Sequence, residues 1–196
     1  MTTTRQRQPQ EAVVASRCLM ERCRELLPDK VGHLIFWPLA IIGVALDLWT
    51  KHIVFAHIRL PDSVDVIPGF LALAPALNDG AAFGIAAGQV PLLVGIATLA
   101  LLVILGVFFF GSGNQRLVQA ALGLFAAGVC GNLWDRLFNA GQVRDFIDVV
   151  YWPGRHWHTF NLADALLCVA VGLLALATVF TGWSDRTRAQ TQKSER

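Results

Sequence analysis

Four apolar blocks, at about residues 34–55, 90–110, 117–134 and 162–180, most constrain what this chain can fold into. Each is close to the roughly 20 residues that cross about 30 Å of hydrocarbon as a helix. In lipid every backbone N–H and C=O must find its partner inside the segment, so four helices are expected. Charged residues are 15% of the chain, against about 25% in soluble domains. The second block carries no charge at all. These features predict an all-α membrane protein with four transmembrane helices. The net charge is +2, and the basic residues gather mostly in the two ends. That placement speaks for membrane topology and against nucleic-acid binding. Of the four cysteines, Cys18 and Cys23 lie in the first tail, and Cys130 and Cys168 inside spans. No zinc-type CxxC occurs, so neither a disulfide framework nor a metal cluster is expected.

The chain divides into an N-terminal tail at 1–33, a membrane domain at 34–183 and a basic C-terminal tail at 184–196. Ala12 to Leu27 could form an amphipathic surface helix or remain a disordered tail. The first apolar block does not fit a cleaved secretory signal. It starts late, runs long, and ends with Asp47 and Lys51 rather than small residues. Between the first and second spans, Val64-Asp65-Val66 followed by Pro68-Gly69 reads as a strand and turn. The segment 57–89 is therefore expected to build a small extracytoplasmic β-cradle. Gly123, Gly128 and Gly131 in the third span predict close helix packing.

Four spans put both termini on one side, and the basic tails with Arg116 mark that side as cytoplasmic. Asp47, Lys51, Asn78, Asn132, Asp135, Arg136, Asp145, Asn161 and Asp164 then all belong to the outer half. Polar residues scattered for solubility would not all choose one face. Asp47 and Lys51 are four apart, on one helix face, and can neutralise each other. Asp164 opens the last span with little room for solvation, and an acid there is costly without a task. Two acids sharing a proton are the apparatus of an aspartic protease. Asp135, Asp145 and Asp148 compete to partner Asp164, and physics alone does not choose. Asp135 abuts Arg136 and Asp145 abuts Arg144, so either could be a plain ion pair.

Asn132, Asn161 and Arg136 could hold a substrate or simply bridge helices. His156 and His158, in a Trp-rich loop, suit interfacial anchoring better than metal binding. No Ser or Cys has a nearby base in a recognisable arrangement.

The motifs Asp47-xxx-Lys51, Asn78-x-Gly80-Ala81-Ala82-Phe83, Gly128-xxx-Asn132-xx-Asp135-Arg136, Asp145-Phe-Ile-Asp148 and Phe160-Asn161-x-Ala163-Asp164 occur in that order. In this the chain resembles the lipoprotein signal peptidase (signal peptidase II) family over about residues 34 to 183. The resemblance implies an intramembrane aspartic protease of the bacterial cytoplasmic membrane. It implies that diacylglyceryl-modified prolipoproteins are cut just before the lipidated cysteine, and that globomycin-type inhibitors block the site. It makes Asp145 and Asp164 the catalytic pair. Asn78, Asn132, Arg136 and Asn161 fall on substrate-binding positions, and Asp47, Lys51, Gly128 and Asp135 on supporting ones. No metal or organic cofactor, no nucleic-acid partner, and a monomer among membrane lipids are expected. Two features depart from the family's usual pattern: Arg144 stands where a second Val is usual, and one extra residue separates Arg136 from Asp145. The N-terminal tail is also longer than usual.

Two other classes fit less well. A proton-coupled transporter would place polar residues at mid-span, whereas the second span has none. A non-enzymatic scaffold gives no reason for acids and amides to converge.

Overall fold

The computed structural model describes residues 27–81, 85–152 and 154–194, with side chains as far as 180. The expectations for the N-terminal tail before residue 27, including Cys18, Cys23 and the Ala12 to Leu27 helix, lie outside the described residues, as do Ala82 and Phe83. Four helices are long and apolar enough to cross a membrane: α1 (Lys30–His57), α2 (Val90–Gly111), α3 (Arg116–Phe138) and the Leu162–Phe180 part of α4 (Leu162–Ser194).

Helix α1 buries Gly32, Phe36, Ala40, Gly43, Asp47, Lys51 and Val54. Steps of three and four residues keep these on one stripe. Asp47 and Lys51 thus continue the packing face of the helix and point at protein, not lipid. The helix starts at Asp29, whose side chain accepts from the Gly32 N–H at 2.8 Å. Arg116, at the start of α3, grips the same carboxylate with Nη1 and Nη2 at 2.6 and 2.7 Å.

Helix α3 is the central one and packs on all three others. Its buried face is largely Ala and Gly, which lets backbones come close. A Cβ at Gly123 would stand 2.8 Å from the Phe36 carbonyl oxygen, and one at Gly128 would stand 2.6 Å from that of Ala163. The close packing expected from these glycines is present. Helix α2 buries only Leu93, Ile104 and Phe108 and leaves most of its apolar surface outward. Phe108 stacks on Phe36 at 4.0 Å between ring centroids. With Ala40, Ile104, Leu122 and Ala126 they form the apolar core at the end away from the acids.

The extramembrane part is a four-stranded antiparallel sheet in the order β1 (Val64–Ile67), β2 (Leu71–Asn78), β3 (Val143–Trp152), β4 (Arg155–His156). Only β1 and β2 come from the segment between the first two spans. The cradle expected there is completed by two strands from the segment between the last two. The β2–β3 register pairs Asn78 with Val143, Ala76 with Asp145 and Leu73 with Ile147. The shift between Leu73 and Ala76 spans Pro75, which has no N–H to give the ladder. A turn at 139–142 joins α3 to β3. There Ala140 and Gly141 take φ of 51° and 83°, a conformation that glycine reaches without strain.

Candidate active site

The site forms where β2, β3 and the ends of α3 and α4 meet. Asn161 precedes α4, and Asp164 is its third residue. The Asp164 N–H donates to Asn161 Oδ1 at 3.0 Å, and Asp164 Oδ2 accepts from the Asn161 N–H at 3.2 Å. This is the reciprocal capping box that starts helices. Its acidic member is held in place by the helix it opens.

Asp145 sits on β3 and is 2% exposed. Its Oδ2 accepts from Asn78 Nδ2 at 3.0 Å, and its Oδ1 from Asn161 Nδ2 at 2.6 Å. Asn78 is itself fixed, because its Oδ1 accepts from the Gly80 N–H at 2.9 Å. Asn161 Nδ2 also reaches Asn132 Oδ1 at 3.0 Å, and Asn132 Nδ2 donates to Asp164 Oδ1 at 2.8 Å. Asp145, Asn161, Asn132 and Asp164 therefore form one chain of bonds with a carboxylate at each end. Burial pushes the Asp145 carboxyl up to about 6. The amides of Asn78 and Asn161 oppose this, and the Asp164 charge adds to it. Both acids line a cavity of about 630 Å³ with Asn78, Gly80, Asn132 and Arg136. Much of its remaining wall is apolar, including Ala165, Leu167 and Phe160.

Behind the amides lies a buried ionic cluster. Lys51 Nζ is 2.7 Å from Asp47 Oδ2, 3.2 Å from Asp135 Oδ2 and 3.1 Å from Asn132 Oδ1. All three charged side chains are fully buried. Asp47 Oδ1 accepts from the Ala163 N–H at 2.8 Å, next to Asp164. Gly131 leaves the room for this, since a Cβ there would collide with Asp47 Oδ2. Gly128 lets α4 close on α3 at Ala163.

The three acids that compete in the sequence are separated here. Asp145 shares the cavity of Asp164. Asp135 faces Lys51 and Arg144, and Asp148 bonds His156 Nδ1 at 2.7 Å. The adjacent-residue pairs are not formed. Arg144 lies on a strand, where neighbours point to opposite faces, so it turns away from Asp145 and grips Asp135. Arg136 does not pair with Asp135. It donates to the Gly80 carbonyl at 2.8 Å, and its buried Nε has no hydrogen-bond partner among the described residues. Asp148 lies on β3 with Asp145, three positions further along.

Sequence reasoning missed Gly131 and Arg144 as parts of the support. Gly131 was visible only as one small residue among several, and Arg144 only as a neighbour of Asp145 and a departure from a pattern. Among the described residues no three His, Cys, Asp or Glu side chains cluster so as to hold a metal ion.

The pattern of one protein family, described as signal peptidase (SPase) II, matches residues 39–180. The chain belongs to the signal peptidase II family. As a member it is a membrane peptidase. It is 36% identical over 155 residues to the lipoprotein signal peptidase of Syntrophotalea carbinolica, covering 78% of this chain and 92% of that one. The corresponding enzyme of Halalkalibacterium halodurans is 32% identical over 164 residues, covering 82% and 99%. Among solved structures, a bacterial membrane enzyme determined by the in meso method at 2.3 Å superposes with a TM-score of 0.68. It shares 33% identity over 72% of this chain and 85% of that one. A second bacterial membrane enzyme determined by the in meso method, at 1.9 Å, has a TM-score of 0.67 and 31% identity over 79% of this chain and 96% of that one.

Proposed function

We propose that Asp145 and Asp164 are the catalytic pair with which this signal peptidase cleaves signal peptides from prolipoproteins. The observation that carries the reading is the chain of amides joining the buried Asp145 carboxylate to the half-buried Asp164 carboxylate across one cavity. One carboxylate accepts a proton from water as the water oxygen attacks the scissile carbonyl carbon. The other donates a proton to the carbonyl oxygen, and the tetrahedral intermediate then collapses with protonation of the leaving amine. The Asp145 carboxyl, held near 6, suits such sharing close to neutral pH. Asn132 and Asn161 hold the carboxylates, and Asn78 orients Asp145. Arg136 lines the cavity, and its planar guanidinium suits a substrate carbonyl. Asp47, Lys51, Asp135 and Gly128 support the frame.

The substrate is a diacylglyceryl-modified prolipoprotein, cut on the N-terminal side of the lipidated cysteine. The apolar cavity wall suits acyl chains. The enzyme is a monomer in the bacterial cytoplasmic membrane, in contact with its lipids and open to globomycin-type inhibitors. The termini lie in the cytoplasm and the site at the outer face, a reading supported by Arg116 and the basic residues of both tails. Residues 34–183 are the membrane domain, flanked by tails at 1–33 and 184–196.

The test is cleavage of a diacylglyceryl-modified prolipoprotein by the purified protein, read by gel shift. Asp145→Asn and Asp164→Asn keep the shape but cannot exchange the proton, and both should accumulate and be inactive. Asp135→Asn should be impaired or poorly folded, and Asp148→Asn the mildest. Cleavage by well-folded Asp145→Asn, beside a stable but dead Asp135→Asn, would move the pair to Asp135 and Asp164.

A further inference from the structure

Arg144 does not line the cavity, yet it stands next to Asp145. While Asp145 faces Asn78 and Asn161, Arg144 faces back to α3 and makes three bonds to one carboxylate. Its N–H donates to Asp135 Oδ2 at 3.0 Å, and its Nε and Nη2 donate to Oδ1 at 3.1 and 2.6 Å. Asp135 is fully buried, and the Arg144 side chain is 20% exposed. Asp135 lies three residues beyond Asn132 on α3, and Asn132 holds Asp164. One turn of one helix therefore carries both the amide that fixes Asp164 and the acid that anchors the strand of Asp145. The charges also close. Asp47 and Asp135 carry two negative charges, Lys51 one positive, and Arg144 supplies the second.

We propose that Arg144 is a positioning residue for the cleavage reaction, which sets where Asp145 stands relative to Asp164 by clamping Asp135 from the back of β3. The inference rests on Asp145 and Asp164 being the catalytic pair. Arg144 touches neither the cavity nor Asp164, so it acts through the placement of Asp145. Its backbone bond to Asp135 survives a side-chain change, which keeps β3 docked while the guanidinium fork is lost. A lysine keeps the charge but not the fork.

The experiment compares full-length wild type, Arg144→Met, Arg144→Lys and the double variant Arg144→Met/Asp135→Asn. Each is purified in detergent and assayed for thermal unfolding and for steady-state cleavage of the same prolipoprotein. In Arg144→Met, kcat should fall about 10- to 100-fold, the cost of a misplaced reacting group, with KM close to wild type. Arg144→Lys should recover part of kcat. The double variant, freed of the one excess buried negative charge that Arg144→Met leaves in the cluster, should unfold at a higher temperature than Arg144→Met without recovering kcat. A folded Arg144→Met with wild-type kcat, or with raised KM and unchanged kcat, would overturn the proposal. If Arg144→Met does not accumulate, a folded Arg144→Lys with wild-type kcat overturns it instead. Activity in Asp145→Asn would remove the catalytic reading itself. Inactive Asp145→Asn beside fully active Arg144→Met would remove only the role of Arg144.

Discussion

Gly131→Ala is the smallest change that should reach Asp164 through the frame. A Cβ at this position would collide with Asp47 Oδ2, and would stand 3.0 Å from Asp47 Cγ and 3.3 Å from Ala163 Cβ. Neither neighbour can step aside cheaply. Asp47 is held by Lys51 at 2.7 Å and by the Ala163 N–H at 2.8 Å, and Ala163 lies in the first turn of α4. Overpacking a tight site costs about 1–3 kcal/mol. Losing a buried charge-assisted hydrogen bond costs about 1.5–3 kcal/mol. The two overlap, because moving Asp47 relieves the clash, so the expected loss is about 2–4 kcal/mol. The displaced α4 start carries Asp164 with it, and kcat should fall about 10- to 100-fold. Gly172→Ala is the control, since a Cβ there meets nothing within 4 Å. It should be neutral, or stabilise by up to about 1 kcal/mol through lower backbone entropy in the unfolded chain. Thermal unfolding in detergent and prolipoprotein cleavage measure both variants. Gly131→Ala that unfolds and cleaves like Gly172→Ala would refute the account of Asp47 as a tether for α4.

Two further outcomes follow from the site. Arg136→Lys keeps the charge but loses the fork that reaches Gly80, so cleavage should drop about tenfold or more while the protein stays folded; full activity in steady-state assays would reduce Arg136 to a charge at a helix end. The Asp145 carboxyl, raised to about 6, binds its proton more tightly folded than unfolded, so its share of stability is present at low pH and is lost as pH rises through about 4 to 6. Relative to Asp145→Asn, wild type should therefore lose up to about 3 kcal/mol between pH 4 and pH 8; parallel pH profiles of unfolding for the two proteins would contradict this.

What the sequence made legible was local. Asp47 and Lys51 face each other because four residues are one helical turn, and that spacing is written in the chain. The glycines of α3 announced close packing, though only the structure says that Gly131 faces Asp47 while Gly128 faces Ala163. The sheet was half legible. Val64 to Val66 reads as a strand by itself, but the pairing of β2 with β3 joins residues about 70 apart and leaves no local period. Two ion pairs left open in the sequence are settled by the same pairing. Asp135 and Arg136 are neighbours, yet along a helix neighbours diverge, and the guanidinium that reaches Asp135 comes from β3. Arg144 and Asp145 are neighbours too, and strand geometry puts them on opposite faces. The choice among three acids was open for want of the register that pairs Ala76 with Asp145. Once that register is fixed, β3 has only one face toward Asn161. An acid at 145 meets its amide, while one at 148, an odd number of positions away, cannot.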